Sequence, residues 1–211
     1  MILTVGNTKG GVGKTTLAVN IAIARALAGS DVLLVDGDEQ GTSVAFTELR
    51  TEKLGEPGYT AVSLQGGAIR TQVRQLASKY DDIVIDVGGR DTGSIRAALL
   101  VTHKLLVPVQ PRSFDLWAMY QVAELVKEAR ELNTDLAALA LLNIADSQGR
   151  DNEEALEAVR EIEGLQMLGV TIGRRKAFPN AAAAGRSVLE QSPKDAKAVE
   201  ELQAVIRAIY N

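Results

Sequence analysis

Residues 8–16 read Thr8-Lys9-Gly10-Gly11-Val12-Gly13-Lys14-Thr15-Thr16 and follow the apolar run Ile2-Leu3-Thr4-Val5. Closely spaced glycines let the backbone turn tightly and aim consecutive N–H groups at one anion, and a helix opening at the end of the turn adds the positive end of its dipole. Such a loop is a nucleotide phosphate cradle. Lys14 is placed to reach the β- and γ-phosphates, and Thr15 to set its hydroxyl on Mg²⁺. The common spacing asks for glycine where Thr8 stands, and the loop carries an additional lysine at Lys9.

Carboxylates supply the second half of this chemistry. The segment Asp36-Gly37-Asp38-Glu39-Gln40-Gly41-Thr42 closes an apolar run; Asp36 is the candidate metal-side acid and Asp38 the candidate water-positioning one. Acids after a strand also serve as turn formers and caps, so only partnership with the first loop gives these two a chemical role. A third acid, Asp86, ends Asp82-Ile83-Val84-Ile85-Asp86 and is the candidate for meeting the magnesium shell. Gly88 and Gly89 follow it, and their N–H groups are candidates for sensing the γ-phosphate.

To converge, these loops must leave one edge of a sheet. Short apolar runs alternate with segments of helical period, which predicts an α/β fold with a mostly parallel central sheet flanked by helices on both faces. Strands are predicted over 2–5, 32–35, 60–64, 83–87, 105–109, 138–142 and 167–172. Helices are predicted over 15–28, 68–79, 94–101, 115–132, 152–162 and 194–209, the first stopped by Gly29. In such sheets ligands bind beyond the carboxyl ends of the strands, where each motif above falls.

At 211 residues, without repeats or a Pro- or Ser-rich linker, the expectation is one domain over 1–211. The chain contains no cysteine, which excludes disulfides, iron–sulfur ligation and thiolate metal sites and, with no signal-like start, points to the cytoplasm. No apolar run is long enough to span a bilayer. A net charge of −4 confines any nucleic-acid contact to a local patch.

The three motifs in order resemble one family, the deviant Walker A ATPases typified by ParA and MinD, and most closely its small partition members. The stretch Lys9 to Thr15 matches the family's cradle, and Asp36-Gly37-Asp38-Glu39-Gln40 its second motif, with Glu39 where relatives carry proline. Further similarity runs through Val107-Pro108-Val109-Gln110-Pro111-Arg112 and over residues 172–190. The resemblance implies a P-loop ATPase using ATP and Mg²⁺, with slow hydrolysis that a ParB-like adaptor stimulates. It implies an ATP-bound homodimer in which Lys9 reaches the partner's phosphates, and nonspecific DNA binding by that dimer on the nucleoid. The nucleotide-contacting set is then Lys9, Gly10, Gly11, Val12, Gly13, Lys14, Thr15, Thr16 and Gly88, with Asn143 at the adenine-contacting position or serving as a strand-end turn residue. Thr15, Asp36 and Asp86 hold the metal, and Lys9, Lys14 and Asp38 act in catalysis. Arg90 and Asp91 depart from many relatives.

The carboxyl-terminal segment carries acids on its polar face, which favours a packed helix over a membrane-surface one. Because the chain starts at its first strand, it resembles the small type lacking a DNA-reading domain. Arg174, Arg175, Lys176 and Arg186 are candidates for holding DNA phosphates; a solvated edge or nucleotide contact would use the same cations. His103 has no visible acid–base partner, and Trp117 lies in an apolar stripe that predicts packing. Two alternatives share the cradle: positioning of a cytoplasmic assembly such as a carboxysome or chemoreceptor cluster, and ATP-dependent activation of a metabolite as in dethiobiotin synthetase.

Overall fold

The computed structural model describes residues 1–89 and 92–211. Seven strands, β1 (Ile2–Val5), β2 (Val32–Asp36), β3 (Thr60–Ser63), β4 (Asp82–Asp86), β5 (Lys104–Val109), β6 (Ala137–Ala145) and β7 (Gln166–Gly173), join one sheet in the order β3-β2-β4-β1-β5-β6-β7. All of its pairings are parallel. The described helices are α1 (Lys14–Leu27), α2 (Thr42–Leu54), α3 (Gly67–Leu76), α4 (Thr92–Leu99), α5 (Leu116–Arg130), α6 (Asp151–Arg160), α7 (Ala177–Ala183) and α8 (Ala196–Tyr210).

Parallel strands expose neither face, so both faces of each must be apolar. Leu3, Val5, Leu34, Val84, Leu106 and Leu141 pack with α1, α7 and α8 on one side. Leu33, Val35, Ile83, Ile85, Leu105 and Val107 pack with α3, α4, α5 and α6 on the other. Each such side chain taken wholly out of water contributes about 1.5–3 kcal/mol, and the alternation fixes register, since a one-residue slip would exchange the two cores. The expected terminal helix packs as well: α8 buries Ala198, Leu202, Val205 and Ile209.

The expected strands all form, with ends shifted by up to three residues. The expected helices form too. Gly29, at φ +91°, ends α1 by donating its N–H to the Ala26 carbonyl at 2.9 Å. Two helices, α2 and α7, lie where none was specified. His103 has a structural partner, its Nδ1 accepting the Ile2 N–H at 2.9 Å. Trp117 departs from expectation: α5 turns Met119, Val122, Leu125 and Val126 inward, leaving Trp117 81% exposed. Arg90 and Asp91, the positions at which the third motif departs from relatives, lie outside the described residues.

With every strand running one way, the loops after β1, β2 and β4 emerge at a single edge. The order places β1 between β4 and β5; the crossover from β1 to β2 runs toward one edge of the sheet and that from β4 to β5 toward the other, which opens a crevice at the carboxyl end of β1.

Candidate functional site

The loop after β1 enters that crevice. Gly13 caps α1 at φ +90°, a conformation that costs an L side chain energy, and a Cβ there would stand 2.5 Å from Asn143 Nδ2. Asn143, near the end of β6, donates that amide to the Val12 carbonyl at 2.7 Å. Asn7, a residue the motif reading passed over, accepts the Lys9 N–H at 2.9 Å and donates to the Pro108 carbonyl at 2.9 Å. Thr8 ties the same loop to α5 by donating to the Ala118 carbonyl at 3.2 Å. The cradle is thus fixed from β5, β6 and α5 before any ligand arrives. Replacing Asn143 with alanine leaves the buried Val12 carbonyl without its donor. Expected is a loss of about 1–3 kcal/mol in urea unfolding together with weaker ATP binding by titration.

Inside the loop, Lys14 is almost wholly buried, and its Nζ donates to the Lys9 carbonyl at 2.8 Å. Burial lowers its pKa from the ordinary lysine value, and the charges of Asp86 and Asp38 oppose that fall. The ammonium is therefore held in a weakly solvated place, where a phosphate would meet it at full strength.

The acids come together as expected. Asp36 and Asp86 are paired neighbours across β2 and β4, both at or below 1% exposure. Asp36 accepts the Val44 N–H at 2.9 Å and the Asp38 N–H at 3.1 Å; burial pushes its carboxyl up while those N–H groups pull it down. Asp86 accepts the Ser43 hydroxyl at 2.5 Å and a second hydrogen bond from the Thr15 hydroxyl. Burial raises its pKa to about 6 despite these donors. Ser43, on the unforeseen helix α2, is a site residue that sequence reasoning missed. Asp38 is half-buried over Gly88, where a Cβ would lie 2.7 Å from its Cγ, and a Cβ on Gly89 would lie 3.2 Å from Lys14 Nζ.

Two clefts open here. One, of about 890 Å³, is lined by Thr8, Gly10, Gly13, Lys14, Thr15, Thr16, Asp38 and Gly89. The other, of about 250 Å³, shares Gly13, Thr16 and Ile144 with it and continues between Ile172, Phe178 and Pro179. Ile144 stands at φ +56°, a strained setting for a β-branched residue, where the β6–β7 register shifts. The larger cleft is polar and lined by the phosphate-cradle residues; the smaller has apolar walls suited to a planar base.

The basic candidates divide. Arg174 and Arg175 line the smaller cleft. Arg175 forks onto Glu201 at 2.7 and 2.5 Å, and Arg174 pairs with Asp146 at 3.2 Å. Arg186 donates to the Glu190 carbonyl at 3.2 Å, and Lys176 is exposed. Arg112, not singled out from sequence, also reaches Asp146 at 2.7 Å.

A crevice of glycine N–H groups, one buried ammonium and two buried carboxylates beyond a parallel sheet defines a nucleoside-triphosphate hydrolase of the P-loop kind. The model of the CobQ/CobB/MinD/ParA nucleotide binding domain matches residues 3–188. The "Maintenance of carboxysome distribution protein A" of Halothiobacillus neapolitanus is 27% identical over 208 residues, covering 98% of this chain and 95% of that protein. The chromosome partitioning protein ParA of Myxococcus xanthus is 26% identical over 229 residues, covering 89% and 80%. Apo McdA of Cyanothece has the same fold, with a TM-score of 0.81 at 17% identity over 99% of this chain and 98% of that one. The chain belongs to the CobQ/CobB/MinD/ParA nucleotide-binding family and is an ATPase of the ParA/MinD type. No described helix is long and apolar enough to cross a membrane.

Proposed function

We propose that this ATPase closes face to face into a dimer around ATP, holds nonspecific DNA in that state, and positions a cytoplasmic cargo along the nucleoid through an adaptor protein. One observation carries the reading: the cradle holds two lysines, Lys14 buried beside Asp86 with its Nζ donating to the main-chain carbonyl of residue 9, and Lys9 with its own ammonium near Asp115. Lys14 would neutralise charge growing on the transferred phosphoryl group, and the loop N–H groups of residues 10–13 would hold the β-phosphate. Lys9, 4.0 Å from Asp115 at the cleft rim, would turn outward to a second subunit's phosphates. Asp38 would orient the attacking water over Gly88.

The donors around Asp86 fit Mg²⁺. They are hard oxygens, two carboxylates and a threonine hydroxyl, and among the described residues no larger His, Cys, Asp and Glu cluster exists that would suit a softer ion. Thr15 would ligate the ion directly, with Asp36 and Asp86 acting through water. When bound, Mg²⁺ draws charge from the β- and γ-phosphate oxygens.

Near-complete overlap with a carboxysome-distribution protein supports positioning of a large cytoplasmic assembly. Overlap with a chromosome partitioning protein supports a second reading, segregation of a replicon with a ParB-like partner. Both use one chemistry and differ in the adaptor. For DNA, Arg112 and Arg174 share the single charge of Asp146, so that group keeps net positive charge beside exposed Lys176. Arg175, neutralised by Glu201, is assigned to the nucleotide side, and Arg186 lines a separate pocket with Lys53 and Asn180.

Retention of nonspecific DNA with ATP, ADP and a nonhydrolysable analogue tests the reading. ATP-dependent retention that weakens steeply with salt is expected. Lys9→Ala should bind ATP within about threefold of the parent but lose dimerisation and turnover, as removal of a charge used only across subunits requires. Normal dimerisation and hydrolysis by that variant would refute the role given to Lys9. Turnover that depends on a small metabolite would indicate a biosynthetic enzyme instead.

A further inference from the structure

The amino-terminal turn of α5 carries an apolar patch that the hydrolytic site does not use. Trp117 is 81% exposed, Tyr120 48% and Leu116 40%. Trp117 and Tyr120 border a groove of about 370 Å³ whose floor is Leu125 and whose rim is Arg96, Gln121, Glu124 and Glu128. Thr8 and Thr92 line both this groove and the triphosphate cleft, so the two surfaces are continuous. Asp115, the side-chain cap of α5, is also the acid beside Lys9.

We infer that this patch is the apolar anchor of the contact between two copies of the chain, seated against the partner when the nucleotide clefts face one another. The inference rests on the dimer of the proposed function and names the surface that holds it.

Three observations select a second copy as the occupant. First, the mouth of the triphosphate cleft is lined by glycines, threonines and charged groups, which form a polar rim, whereas a stable protein contact needs about 1,200–2,000 Å² with desolvated aromatic anchors near its middle. Among the described residues, Trp117 and Tyr120 are large exposed aromatics beside that mouth. Second, the patch borders the lysine assigned to the partner's phosphates, so a subunit reaching Lys9 also covers α5. Third, the groove rim carries both signs of charge: Arg96 pairs with Glu128, and Glu124 stands beside them. A two-fold contact sets identical patches together, which a mixed-sign rim permits and a single-sign rim opposes. The same glutamates would repel DNA phosphates and anionic lipid.

Trp117 is the sole tryptophan, so its emission reads this surface directly. The experiment records tryptophan emission and acrylamide quenching of the full chain while sedimentation measures mass, with and without a nonhydrolysable ATP analogue. Expected is a blue shift and protection from quenching that track the rise to dimer mass. Trp117→Ala should weaken analogue-dependent dimerisation by about 30-fold, the factor typical of a central aromatic anchor, while a labelled ATP analogue binds the monomer as before. Trp117→Phe should recover much of the loss. Leu132→Ala, at an equally exposed residue just past the other end of α5, should change nothing.

A dimer that forms while emission stays solvent-like, with Trp117→Ala dimerising as the parent does, overturns this inference and leaves the proposed dimer intact. Failure of the parent to dimerise at all overturns both. Protection that appears only with an adaptor or DNA assigns the patch to that partner and refutes a second copy.

Discussion

Lys14→Ala will lower ATP turnover by about a thousandfold or more and leave thermal stability at or above that of the parent. The first half follows from placement. Lys14 is 8% exposed as a residue, so its ammonium is weakly screened and charge developing on a phosphoryl oxygen in the cleft would feel it strongly. Removing one such pre-aimed group from a weakly solvated site typically costs about two to three orders of magnitude in rate, and about three to five where phosphoryl charge is concerned. The second half follows from cost. Without a phosphate, the ammonium is penalised by burial and partly compensated by Asp86, Asp38 and the Lys9 carbonyl. Taking it away releases a desolvated charge, which offsets the lost contacts, the usual trade between a strained site and stability. Phosphate release and a thermal melt measure the two halves. More than about a tenth of parental turnover would show that this ammonium does not meet the transition state.

Arg50→Ala will destabilise the fold by about 3–5 kcal/mol, or roughly 6–20 °C in melting temperature for a chain of this size. The Arg50 guanidinium, its side chain 7% exposed, donates to the Pro57 carbonyl at 2.7 Å, the Gly185 carbonyl at 2.9 Å and both Glu190 oxygens at 2.8 Å. Gly185 fits closely against it, since a Cβ there would stand 2.8 Å from Arg50 Cα. Without the guanidinium, Glu190 is left as a largely buried charge that only the Ser187 N–H and Arg186 oppose. The pair also sets a pH dependence. Burial pushes the Glu190 carboxyl up, but hydrogen bonds from Arg50 and Ser187 outweigh it and hold the folded value below the ordinary 4.5. The folded state then binds fewer protons near that value than the unfolded one. Its contribution is complete above about 4.5 and is lost as pH falls through the lower folded value. Urea unfolding of parent and variant at neutral and acid pH checks both claims; curves that stay parallel down to acid pH would remove Glu190 from the account.

Much of this molecule is legible in one pass along the chain, for identifiable reasons. The strands are continuous apolar runs because a parallel sheet buries both faces, and the cradle is readable because backbone chemistry demands glycine at fixed spacing. The helix α2 was illegible for the opposite reason. Its buried positions are Ser43, Phe46, Thr47 and Arg50, a regular helical spacing, yet three of the four are polar. Ser43 serves Asp86, Thr47 hydrogen-bonds Tyr59 at 3.0 Å, and Arg50 holds Glu190. Hydrophobic periodicity cannot register a face that is buried through hydrogen bonds. Trp117 shows the converse: a large apolar residue in a helical stripe reads as core, whereas its exposure depends on the angle at which Asp115 starts the helix, a tertiary fact. The roles of Asn7 and Asn143 in bracing the cradle were equally hidden, since each bonds a carbonyl more than a hundred residues away.

The polar inner face of α2 constrains how this sequence can change over generations. Exchanging Ser43, Thr47 or Arg50 for an apolar residue would add apolar contact along the inner face of this helix. Each exchange would also strip a partner from a carboxylate or phenol held elsewhere. Drift at these positions is therefore confined to paired changes, and lineages that keep Asp86, Tyr59 and Glu190 in place inherit a helix that cannot be improved one residue at a time.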